Sequence, residues 1–243
     1  MEKKQLPVEL SQREISWGLH YLLMQFLIIG PLFASVLTQF FPKLTLNTEL
    51  TYNLINIIAV FIIYHRYIGK CIRHSLSQPV KLILITVLGL LVYLLVIPVL
   101  EDLVIKLSPT IENFNTNEIE NNMKINPVAT VFGAVFLVPL AEEITYRGLI
   151  FGALRQRNRL VAYLVSVLAF SMIHVIGYIE RQSLINSLLT ILTYIPAALI
   201  LTVAYDQSGS ILPPTLIHTA VNAIVSVNTL LTLTERSGTD GQY

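Results

Sequence analysis

The sequence predicts an all-α, polytopic transmembrane bundle of about seven, and at most eight, spans, on three observations. Only 13% of the 243 residues are charged, the mean hydropathy is +0.67, and an average soluble domain carries about 25% charge. Apolar runs of about 20 residues, the length that crosses a bilayer as a helix, recur along the chain. And the sequence Ala141-Glu142-Glu143-Ile144-Thr145-Tyr146-Arg147 sets two adjacent carboxylates and a guanidinium inside such a run. Each charge near a helix centre opposes insertion by about 2.5–3.5 kcal/mol, so three together cost about 8–10 kcal/mol. The segment is tolerable only if Glu and Arg pair inside a bundle, and such a cluster marks a functional site by default.

The spans are expected at Ile15–Leu37, Thr51–Ile68, Val80–Leu100, Val128–Leu154, Leu160–Tyr178, Leu184–Ala204 and Ile211–Leu233. Residues 1–14 read as a polar cytoplasmic tail and 15–100 as an N-terminal three-helix part. Residues 101–127 form a polar extracytoplasmic loop, 128–233 the catalytic bundle, and 234–243 a polar tail. The loop, rich in Asn and Glu, is a solvated linker or, alternatively, a lid over a substrate. With Arg147 set aside, ten of the fifteen remaining Lys and Arg fall on the side of the N-terminus and five on the other. This charge bias places the N-terminus in the cytoplasm.

Composition also excludes function classes. A net charge of +1 with no basic run offers nothing to nucleic acid. One cysteine, Cys71, rules out an internal disulfide framework and a cysteine-based zinc cage. The expected partner on this ground is the lipid bilayer. The sequence is silent on oligomeric state.

The polar groups at membrane depth fall in a pattern. Glu143 and Arg147, Phe170 and His174, and His218 and Asn222 are each four residues apart, hence on one helix face. At 1.5 Å per residue, Glu142 lies ~18 Å and His174 ~21 Å from the cytoplasmic ends of their helices; His218 and Asn222 lie at ~10 and ~17 Å. Two carboxylates, two imidazoles and a carboxamide can therefore meet at one level. A carboxylate beside an imidazole can polarise a water as general base. Arg147 is best placed to pair with Glu143, which leaves Glu142 as the base. A second histidine and an asparagine supply neutral donors for a tetrahedral oxyanion. Taken singly, each pair reads as ordinary structure: an ion pair, a core histidine, a core phenylalanine. The row Asn186, Thr190, Thr193 reads as interhelical hydrogen bonding.

The ordered set Glu-Glu-x-x-x-Arg (142–147), Phe-x-x-x-His (170–174) and His-x-x-x-Asn (218–222) resembles the CPBP family, the CAAX-protease and bacteriocin-processing intramembrane endopeptidases also called the Abi family. The resemblance spans about residues 128–225. It implies a water-activating Glu142 assisted by His174, an oxyanion site of His218 and Asn222, and a motif helix shaped by Glu143 and Arg147, with Phe170 shaping the site. It implies a bacterial plasma-membrane protein acting on a peptide or membrane-protein substrate, with peptide maturation, quorum-sensing peptide processing or bacteriocin immunity as analogies. No metal is expected to be required. A zinc-type divalent ion held by Glu142, His174 and His218 stays open. Two other classes fit intramembrane Glu, Arg and His: a proton-coupled transporter, and a catalytically silent immunity or scaffold protein.

Overall fold

A computed structural model describes residues 6–32, 48–109 and 111–240, and among these the chain is helical with no strand. We number the helices α1 (12–32), α2 (Thr48–Leu76), α3 (Pro79–Leu107), α4 (Phe114–Ile125), α5 (Pro127–Arg155), α6 (Arg159–Ile176), α7 (Leu184–Ser208) and α8 (Leu212–Asp240). Six of them, α2, α3 and α5–α8, are long and apolar enough to cross a membrane. The end of the first expected span, Ile15–Leu37, lies outside the described residues.

Local chemistry sets the helix ends. Ser11 and Glu14 form a reciprocal capping box at α1, and Asn113, Asn158 and Ser183 accept from N3 amides at the starts of α4, α6 and α7. The α7 helix stops at Gly209, which takes φ 70°, a left-handed turn open to glycine at no steric cost. Proline opens α3 and α5, where its missing N–H costs nothing.

Two expected boundaries differ. The stretch 101–127 is not a loop throughout: α3 continues to Leu107, and Phe114–Ile125 forms α4. Likewise α8 runs through the expected polar tail to Asp240.

The surface of the bundle is apolar. On α3 Leu84, Leu88, Leu91 and Leu95 all point outward. A helix apolar on every side is suited to lipid, and the chain is an integral membrane protein. Inside, one cluster of buried side chains gathers Tyr64, Tyr67, Cys71, Ile144, Phe151 and Tyr205. A second gathers Tyr146, Phe170, Ala198, Leu201, Ile217 and Val221 around the charged segment of α5. Asp206 near the end of α7 pairs with Arg155 at 2.5 Å and Arg159 at 2.6 Å and accepts from the Tyr163 hydroxyl at 3.0 Å. This clamp places the α5–α6 connection and the end of α7 on one side of the bundle.

Candidate active site

The site grows from α5, which is not a uniform α-helix. Residues Gly133–Leu137 and Glu143–Phe151 wind as π-helix, with a short α-helical piece, Val138–Glu142, between them. Wider π turns rotate side chains out of α register and recur at functional sites. Here the change falls between the two glutamates, and they face different surroundings.

Glu143 and Arg147 are both fully buried. The Arg147 Nη1 donates to Glu143 Oε1 at 2.9 Å, and its Nη2 donates to the Ala198 carbonyl of α7 at 3.1 Å. The guanidinium lies over the Phe170 ring, 4.2 Å from its centroid, a geometry in which the ring's negative face attracts the cation. The same Glu143 oxygen accepts from His218 Nδ1 at 2.9 Å. Glu143 holds Arg147 and His218 through Oε1 alone, its buried Oε2 has no partner, and its side chain has no exposed surface.

Glu142 is the opposite case. Its side chain is 21% exposed, and its buried Oε2 has no hydrogen-bond partner. The nearest basic group is His218 Nε2, 3.9 Å from Oε2. Glu142 sits on the wall between two cavities, of about 370 and 350 Å³. The larger is lined by Glu142, Phe170, His174, His218 and Asn222 together, so the groups that depth counting brought to one level share one chamber.

The two imidazoles are oriented alike. His174 Nδ1 bonds the Phe170 carbonyl at 2.9 Å; a carbonyl only accepts, so the proton is on Nδ1. His218 Nδ1 faces a carboxylate in the same manner. In their neutral forms both rings then present an Nε2 lone pair, an acceptor. Held through Nδ1 in this way, His218 would donate from Nε2 only when doubly protonated. Asn222 is partly committed, since its Nδ2 donates to the Ala134 carbonyl in the first π segment at 2.8 Å. One N–H remains for the chamber.

Glu142, His174 and His218 offer the donor atoms that zinc takes, but as placed they do not close on a common point. Among the described residues no group of three His, Cys, Asp or Glu side chains could hold a metal ion.

The polar segment before α5 also reaches the chamber. Glu101, Asn113, Asn115 and Thr116 line it, together with Tyr194 of α7. The segment is thus no free linker. The clue was its helix-capping asparagine, whereas Tyr194, an aromatic in an apolar run, gave no signal at all.

Residues 124–224, which carry every one of these motif residues, match the family described as type II CAAX prenyl endopeptidase Rce1-like. No curated protein and no solved structure matches the chain.

Proposed function

We propose that the chain is a membrane-embedded protease, on the match of residues 124–224 to the Rce1-like endopeptidase family, and that Glu142 activates a water for attack on a peptide bond. The substrate is a peptide or membrane protein entering the chamber from the bilayer. The observation that carries the reading is that Glu142, unlike the fully buried Glu143, is partly exposed and lines the cavity shared with His174, His218 and Asn222.

In this scheme Glu142 takes a proton from the water while the Nε2 lone pair of His174 orients it. As the carbonyl carbon becomes tetrahedral, its oxygen gains negative charge. The free N–H of Asn222 and a protonated His218 Nε2 donate to it. Glu142 finally returns its proton to the leaving amine. No step requires a metal. The Lys and Arg bias supports an N-terminus in the cytoplasm.

The test is a comparison of peptides released from membranes of cells expressing the wild type or Glu142→Gln, each purified to confirm a folded protein. Fragments present only with the wild type are expected. Identical peptide sets from both would refute the proposal, and substrate-driven proton flux without cleavage would replace it with a transporter.

A further inference from the structure

We propose that Tyr194 is a positioning residue for His174, and that it couples the histidine to the polar segment before α5. The inference rests on the proposed role of His174. Tyr194 lies on α7, and its ring stacks on the imidazole with centroids 4.2 Å apart and planes inclined by 23°. Phe170 touches the same imidazole at 4.9 Å. The backbone bond from Nδ1 fixes one ring atom only, and an imidazole so held can still swing about its side-chain axis. A second flat surface against its face removes that freedom and keeps Nε2 aimed into the chamber.

The Tyr194 hydroxyl is itself held. It accepts from Asn113 Nδ2 and from Asn115 Nδ2, each at 3.2 Å, and lies 3.3 Å from Asn113 Oδ1. Asn113 is also the N-cap of α4, accepting from the Thr116 amide at 3.2 Å. Two turns earlier on α7, Asn186 binds both backbone groups of Glu112, at 3.2 and 3.0 Å. The stretch 112–115 is therefore pinned to α7 at two points, and one of them is the residue that braces His174. Packing alone would explain a tyrosine ring here, but not a hydroxyl tied to the cap of a separate helix. A substrate that displaces or engages Asn113 and Asn115 alters the hold on His174, so the segment reports substrate arrival to the water-orienting group.

Histidine-labelled protein in micelles gives a direct reading, with the His174 ring signals assigned by their loss in His174→Ala. Tyr194→Leu is expected to move those signals and leave His20, His65 and His74 in place. On the peptide identified by the membrane comparison it should lower kcat about tenfold or more with KM within about twofold, as misplacement of a reacting group does. Tyr194→Phe keeps the ring, so it should retain the stacked His174 signal and lose only about two- to fivefold in kcat. Asn113→Ala with Asn115→Ala should match Tyr194→Phe, and adding them to Tyr194→Phe should cost nothing more. Unmoved His174 signals in Tyr194→Leu would overturn the inference, as would wild-type kcat or multiplicative losses in the combined variant. If His174→Ala is inactive while Tyr194→Leu behaves as wild type, only this inference fails. A fully active His174→Ala would overturn the proposed function as well.

Discussion

Arg147→Met removes a charge whose partners stay behind. In the native bundle the guanidinium donates to Glu143 and to the Ala198 carbonyl and lies over Phe170, with no exposed surface. Breaking a buried pair from one side costs about 3–5 kcal/mol, because the remaining ion is uncompensated. The Ala198 carbonyl and the ring contact add about 1 kcal/mol each. A loss of roughly 5–7 kcal/mol is comparable with the whole stability of many domains, so the single variant should unfold far more readily. Glu143→Gln alongside Arg147→Met removes the stranded carboxylate yet leaves an oxygen for His218 Nδ1. The double variant should therefore recover part of the loss, roughly 2 kcal/mol or more. Reversible unfolding in mixed micelles measures both. A single variant within about 1 kcal/mol of wild type, or a double variant less stable than the single, would refute the charge-balance reasoning.

Other outcomes follow from the same contacts. Asn222→Ala leaves the Ala134 carbonyl without its donor, costing about 1 kcal/mol in an unfolding assay, and should lower kcat by about 10²-fold through loss of an oxyanion donor. Gly209→Ala would place a Cβ 2.2 Å from Pro7 Cγ in a φ 70° turn, and should destabilise by about 1–2 kcal/mol with kcat unchanged. Overnight dialysis against a strong chelator should leave peptide cleavage at its starting rate, and a loss restored by zinc would put a metal into the mechanism.

Hydropathy made six helices legible because each must span the bilayer, but it misjudged where they end. The α2 helix continues beyond Ile68 to Leu76, since Lys70 and Arg73 lower hydropathy without opposing helix. For the same reason α4 was read as loop: polarity marks departure from lipid, not departure from helix. At the site, the i,i+4 pairs were legible because local spacing fixes a shared face. The bond between His218 and Glu143 was not, for it joins residues 75 apart and depends on packing between α5 and α8. It redefines the acceptor and donor roles of His218. The π segments of α5 follow no residue preference that periodicity detects, yet they separate the surroundings of Glu142 and Glu143. Tyr194 belongs to the same class, identified only by what it touches.

The account turns on Glu142 being kept for chemistry and not for stability. The most direct measurement takes purified Glu142→Gln in liposomes and records both its cleavage of a peptide that the wild type cuts and its unfolding free energy. Because Oε2 has no partner to lose, the variant should be at least as stable as the wild type while its kcat falls by about 10³-fold or more, the upper part of the ordinary range for a lost general base. Wild-type turnover in a folded Glu142→Gln protein would contradict the account outright.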